Sequence, residues 1–301
     1  MKKMTKFFAL ALLAGAMVSC STEGTVPSTQ NDKVAVQFTG GISVNTRAAG
    51  LAWAEGDMIG IFMTGTKQPL SADAIQEGVD NICYQTSGSI GFSPVSGGKT
   101  VFFPIDGNVD FYSYYPQTTV NDYKVALDVT DQGKQETIDF MYAKTEGCNK
   151  ATPQVDLKFF HKLSNLILDV QPGNGLTQED LKKMTVKVKD QNTKATFNLA
   201  DGTISGEGNP TDIEMKTTVA GKLYEAILLP TEEASRVIEF DLNNGYDAPF
   251  VWTMPAKLEG GSRYHYTVVK LSRSAVEISG TIKPWTEAGD NNDCLLYTSP
   301  S

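Results

Sequence analysis

Histidine is scarce, with 2 in 301 residues, and that already narrows the chemistry open to the chain. His161 sits among Phe159, Phe160 and Leu163, and His265 in the alternation Tyr264-His265-Tyr266, so both read as strand residues rather than as a base or a metal ligand. No Gly-x-Ser-x-Gly elbow and no metalloprotease helix occur. Asp290-Asn291-Asn292-Asp293 lacks the following Gly and the distant Glu of a calcium loop. The expectation is a protein that is not an enzyme and takes no metal or cofactor. Basic residues are also few, 26 Lys and Arg against 35 Asp and Glu, which argues against nucleic acid or an anionic membrane as a partner. The 4 cysteines, Cys20, Cys83, Cys148 and Cys294, have no metal-type spacing. Cys83 and Cys148 stay open as a disulfide, which an oxidising envelope permits, or as two unpaired thiols.

Long apolar runs are absent except for one. Phe7 to Val18 follows Lys2, Lys3 and Lys6 and is too short to span a bilayer, so residues 1–19 read as a secretion signal. It ends in Met17-Val18-Ser19-Cys20, which resembles the site at which bacterial lipoproteins are cut and acylated, with Met17 in place of the usual Leu. Acyl chains on Cys20 would each gain about 0.8 kcal/mol per buried methylene and anchor the chain to the outer membrane. Residues 20–33 are polar, contain Pro and Gly and read as a flexible tether. Removing residues 1–19 takes away three Lys and no acid, so the net charge falls from −9 to −12.

The body is written in short β-prone runs, near 58–63, 81–86, 100–103, 109–115, 123–129, 155–161, 163–170, 184–190, 194–199, 212–216, 223–229, 236–243, 250–254, 263–271 and 275–283. Gly, Asn, Asp and Pro punctuate them, and the spacing predicts an all-β protein of sandwich type. Ala200-Asp201-Gly202-Thr203 and Asn243-Asn244-Gly245 predict hairpin turns. One short helix is predicted, over Thr177 to Lys183, from a capping Thr, early acids and late lysines. The polar loop Thr145 to Pro153 predicts a boundary between an N-terminal sandwich, 34–153, and a C-terminal one, 154–293. Ser93 to Thr100 ends like a phosphate-binding loop, but the strand-like Val101-Phe102-Phe103-Pro104 follows where a helix is needed, so it reads as a turn. In Phe111-Tyr112-Ser113-Tyr114-Tyr115 alternation separates Phe111 and Tyr115 from Tyr112 and Tyr114, and core packing on one face is preferred over a sugar-stacking platform.

The stretch Val34 to Met63 organises the rest. Val34, Val36 and Phe38 alternate with polar or small residues, and so do Ile42 and Val44 after a Gly40-Gly41 break, which predicts two short strands. Arg47-Ala48-Ala49-Gly50 is a small-residue turn with one long cation, a site where a protease binds backbone in extended form. Trp53-Ala54-Glu55-Gly56-Asp57 and the apolar Met58 to Met63 follow. A strand, an Arg and Trp-x-x-Gly-Asp-x-Ile-Gly-Ile-Phe-Met resemble the fimbrillin (Mfa-like) family of Bacteroidales lipoprotein pilins. Phe111 to Pro116, Asp139 to Ala143, Phe159 to Ser164 and Ile278 to Trp285 extend the resemblance over most of the chain after the leader.

The resemblance implies two transthyretin-like β-sandwich domains in tandem and loss of the N-terminal strand when the precursor is cut. The expected function is a surface-exposed lipoprotein precursor of a fimbrial structural or accessory subunit serving adhesion or biofilm formation. A cut between Arg47 and Ala48 would free an exchangeable strand with Val34, Val36, Phe38, Ile42 and Val44, and a strand of a like or related fimbrial subunit would refill the groove. The alternative is a surface lipoprotein that does not polymerise and binds a glycan or host protein. Residues 294–301, CLLYTSPS, back-translate to a transposon adapter used in sequencing libraries, so they are expected to be an artefact that replaces the native end.

Overall fold

The computed structural model describes residues 33–42, 53–208, 210–272 and 275–284, which fall in one compact unit beginning at Lys33. The first strands are β1 (Gln37–Ile42), β2 (Glu55–Gly65), β3 (Ile82–Ser87), β4 (Gly91–Pro94) and β5 (Val109–Tyr115). Next come β6 (Lys124–Asp128), the four-residue helix α1 (Gln135–Ile138), β7 (Met141–Cys148), β8 (Gln154–His161) and β9 (Ser164–Pro172). Then follow β10 (Thr185–Gln191), β11 (Lys194–Asn198), β12 (Thr203–Glu207), β13 (Thr211–Glu214) and β14 (Lys216–Val219). Last are β15 (Leu223–Leu228), β16 (Arg236–Asp241), β17 (Phe250–Met254), β18 (Ser262–Ser272) and β19 (Ala275–Pro284). The protein is an all-β structure, as the period-2 runs predict.

Seven strands close into a barrel in the order β1-β4-β3-β2-β5-β7-β8. Three open sheets complete the described chain, β13-β10-β16-β17, β12-β11-β6 and β14-β15-β9-β18-β19. Two hydrophobic cores result. The barrel interior holds Val36, Phe38, Trp53, Ile59, Ile61, Met63, Phe111 and Phe159, while the second core lies among the open sheets. β5 lies in the wall between the cores, flanked by β2 and β7, which also contribute to both. All seven of its residues are buried; Val109, Phe111 and Tyr115 enter the barrel core, and Tyr112 and Tyr114 enter the second. The aromatic cluster therefore packs on both faces, not one, which leaves no ring free as a sugar platform. Asp110, buried in the same strand, is satisfied by Thr66 Oγ1 at 2.9 Å and by the Lys67 and Gly147 amides at 2.8 Å each.

The pairing relocates several sequence expectations. β8 joins β7 and β1, so the barrel continues past the predicted start of a second domain at residue 154. β6 leaves its sequence neighbours for β11. The predicted linker Thr145 to Pro153 begins inside β7, whose polar end carries no apolar alternation. The segment Thr177 to Lys183 forms turns instead of a helix: Asp180 binds back to the Thr177 carbonyl at 3.1 Å and Lys182 to that of Glu179 at 3.2 Å, an i to i−3 pattern. The Asp201-Gly202 hairpin forms between β11 and β12, with Gly202 at φ +74 supplying the left-handed turn residue.

The disulfide does not form. Cys83 pairs with Gly60, Gly60 with Tyr114, and Val109 at the other end of β5 with Cys148. The two cysteines are thus separated by two intervening strands and by the offset from Tyr114 to Val109, roughly 16 Å along β5, well beyond the ~7 Å that a disulfide spans. Both are free thiols, half-buried.

Candidate functional site

The site is the strand that closes the barrel. β1 lies antiparallel to β4, with Phe38 opposite Phe92, and parallel to β8, from Gln37 opposite Gln154 to Ile42 opposite Phe159. It forms no ladder with β2, the next described strand, so among the described residues no hairpin ties the two. Just upstream, the Val36 amide donates to the Val101 carbonyl and the Phe103 amide to the Val34 carbonyl, both at 2.9 Å, so the pairing extends beyond the strand proper.

The expected exchangeable residues face inward. Val36 and Phe38 are buried, at 5 % and 2 % exposure, and half-buried Val34 and Ile42 pack against the same core. The Phe38 ring meets those of Tyr84 and Phe111 edge-on at 5.2 and 5.1 Å. Tyr84 is held in turn by the Val101 amide, which donates to its hydroxyl at 2.8 Å. Burial pushes the Tyr84 phenol above its ordinary range, with the Val101 hydrogen bond opposing it.

Gly40-Gly41 is no break. One strand runs through both residues, and the inward-facing series 34, 36, 38, 40, 42 is continuous. Gly40 is required by close approach: a Cβ there would stand 2.6 Å from Phe92 Cε2 and 3.3 Å from Phe159 Cε2. Trp53 locks this point, because its Nε1 donates to the Gly40 carbonyl at 2.6 Å. Its ring also lies edge-on to Phe92, Phe159 and Tyr115 at 5.0, 5.2 and 5.4 Å. A Cβ on Gly41 would meet nothing within 4 Å.

A second strand repeats the order of residue types. Ala35-Val36-Gln37-Phe38-Thr39-Gly40-Gly41-Ile42 corresponds residue by residue to Ala275-Val276-Glu277-Ile278-Ser279-Gly280-Thr281-Ile282 of β19. Only comparing strands with one another brings this out; reading each for its own period does not.

Cys20, Val44, Arg47 and Ala48 lie outside the described residues, as do Trp285 and residues 294–301. His161, the last residue of β8, is buried with Nδ1 2.8 Å from Asp139 Oδ1. Among the described residues no group of three or more His, Cys, Asp or Glu is placed to hold a metal ion. Of the Ser93 to Thr100 segment, Ser93 and Pro94 end β4 and a turn follows, in which the Gly98 amide bonds the Val95 carbonyl at 2.7 Å and Lys99 Nζ is engaged by the Glu77 and Gly78 carbonyls.

Comparison with known proteins places this architecture. The chain is 33% identical over 291 residues to Fim1C, a candidate fimbrium subunit of Bacteroides uniformis, covering 92% of this chain and 93% of the relative. A crystal structure of a candidate cell adhesion protein from Bacteroides uniformis superposes with a TM-score of 0.72 at 30% identity, covering 84% of this chain and 99% of that one. The tip fimbrial protein Mfa3 of Porphyromonas gingivalis shares the fold alone, with a TM-score of 0.51 at 12% identity over 83% of this chain and 99% of that one. The sequence profile described as fimbrillin-like matches residues 46–285, beginning after β1. The chain belongs to the fimbrillin-like family, a family of fimbrial and cell-adhesion proteins.

Proposed function

We propose that this chain is the lipoprotein precursor of a fimbrial subunit, held unassembled by its own first strand. A cut after Arg47 releases residues up to that point, and β1 leaves. The groove between β4 and β8 then takes a strand from a neighbouring copy or a related subunit. The observation that carries this reading is the place of β1: it closes the barrel, buries Val36 and Phe38 in it, and among the described strands is paired with two that are distant in sequence. β1 and β2 form no hairpin among the described residues, so after a cut between them the strand would be held by non-covalent contacts alone. Its exit exposes two strand edges and an apolar groove, which a strand of the same type covers.

The likeness of β1 and β19 supports exchange between copies, since one chain carries two strands of similar pattern. The family match beginning at Thr46 is in keeping with a body that persists once the first strand is gone. The presence of two hydrophobic cores supports the tandem, transthyretin-like sandwich plan that the resemblance implies, although the first core lies in a closed barrel. Acylation of Cys20 holds the precursor at the outer membrane, facing the exterior, and the assembled fimbrium serves adhesion or biofilm formation. Mass spectrometry of the protein extracted from the cell envelope tests this reading. An N-terminus at Ala48 is the expected result, whereas a chain found solely with an intact, acylated Cys20 would favour the non-polymerising lipoprotein that binds a glycan or host protein.

A further inference from the structure

We infer that the barrel reads its closing strand at one residue: the groove between β4 and β8 accepts a strand from another copy only when that strand carries glycine at the place of Gly40, in the frame apolar-x-apolar-x-Gly set by Val36, Phe38 and Gly40. This rests on the strand-replacement reading and names what the replacing strand must be.

The discriminating feature is a notch with immobile walls. A Cβ at position 40 would stand 2.6 Å from Phe92 Cε2, closer than real Cβ atoms approach, and the second wall is Phe159 Cε2 at 3.3 Å. A ring edge at the surface would swing aside, but with a strand seated these are packed in. Phe92 and Phe159 are 6 % and 0 % exposed, and Trp53 lies edge-on to both. Trp53 is itself buried, and its Nε1 is fixed to the Gly40 carbonyl. A strand slipped by one residue turns its apolar set outward. Slipped by two, it drives Phe38 or Ile42 into the notch. One position thus sets both identity and register. Gly41 provides the internal contrast, since a Cβ there meets nothing within 4 Å and is not read.

The test uses the chain without its leader, residues 21–293, which keeps β1, and a fluorescent peptide of residues 33–46. Gly40→Val should expel the chain's own β1, seen as new protease sensitivity at the N-terminus, and leave the groove free. The natural peptide should then bind this variant about 10- to 100-fold more tightly than the same peptide with Val at position 40, the discrimination expected from overpacking one core site. Adding Phe92→Ala should let β1 return and remove the discrimination, while Gly41→Ala should leave β1 in place. Equal binding of the two peptides, or a Gly40→Val chain that keeps β1 protected, overturns the glycine reading and leaves strand replacement standing. Failure of the natural peptide to bind a chain whose β1 has been expelled sinks strand replacement itself, and the inference with it. If Gly40→Val alone does not fold, the double variant decides: recovery of the folded chain supports the notch, and continued failure overturns it.

Discussion

β1 and β19 carry nearly the same order of residue types, yet the fold uses them differently. β1 has a neighbour on each side and sends its apolar residues into a closed barrel. β19 is an edge strand among the described residues, paired there with β18, and its Val276 and Ile278 are partly buried against the second core. Even the shared glycine answers to different partners: a Cβ at Gly40 meets two aromatic rings, while one at Gly280 meets Tyr266, at 2.5 Å from Cδ1 and 2.6 Å from the backbone Cα. A pattern of this kind therefore specifies a strand with a place for close approach. The number of its neighbours decides whether it closes a sheet or ends one.

The sharpest way to test that difference is to remove β1. Val36 and Phe38 each contribute about 1.5–3 kcal/mol by burial, so their joint loss is a large share of a domain's net stability. Residues 48–293 should melt well below residues 21–293, or form oligomers as copies cover one another's grooves. Thermal denaturation with size-exclusion chromatography checks this; a shortened chain that is monomeric and equally stable would rule out strand replacement here.

A single truncation on each strand gives the next largest effect. Phe38→Ala should cost about 3–5 kcal/mol, because a fully buried ring is lost from a close-packed interior. Ile278→Ala should cost less, about 1–2 kcal/mol, since its side chain is partly buried before truncation. Equal losses in urea denaturation would mean that β19 is as embedded as β1, and the contrast between them would fall.

These same residues show what was legible beforehand. β5 is legible from its density of aromatic, β-prone residues, and β8 from a strict exposed-buried alternation through all eight residues. β12 (Thr-Ile-Ser-Gly-Glu) and β14 (Lys-Thr-Thr-Val) escaped because edge strands with little buried surface need no apolar face. β4 and β7 escaped for a related reason, as their Gly, Pro and charged residues look like loop. The closing role of β1 was hidden differently. Its parallel partner β8 lies more than 100 residues downstream, and local periodicity carries no information about so distant a neighbour. Gly40 was misread as an interruption because glycine usually marks one; what makes it a strand residue is the pair of rings brought against it.

Alkaline pH gives a smaller effect that compares the two regions. Burial raises the phenol pKa of Tyr84 and of Tyr115 in the barrel, and a nearby Asp57 adds to the shift at Tyr115. Tyr266, which packs beneath Gly280 of β19, is pushed up to about 12, by burial first and then by Tyr264. A folded-state pKa above the unfolded value favours the neutral phenol in the folded chain. The stabilisation is therefore complete below the unfolded pKa of about 10 and is lost as the pH rises from there through the folded values. Tyrosinate absorbance should appear together with loss of structure. In a chain lacking β1, where Tyr84 has lost the cover of Phe38, it should appear at lower pH; an unchanged titration would show that Phe38 does not shield that phenol.

The smallest expected effect concerns whether anything covalent holds the barrel once β1 has gone. Cys83 on β3 and Cys148 on β7 are the two thiols whose linkage would brace the barrel wall. The register separates them by two strands and most of the length of β5. Burial also raises both thiol pKa values, at Cys148 with help from Asp110, so little reactive thiolate is present at neutral pH. Reductant should accordingly leave the melting temperature of the mature chain unchanged, and replacing both residues with Ser should shift stability by less than about 1 kcal/mol. A disulfide would behave otherwise, since reducing it would remove about 2–4 kcal/mol. A melting temperature that falls on reduction would mean that the barrel has a covalent brace that the strand pairing excludes. It would also mean that the loss of β1 opens the barrel less than its packing predicts.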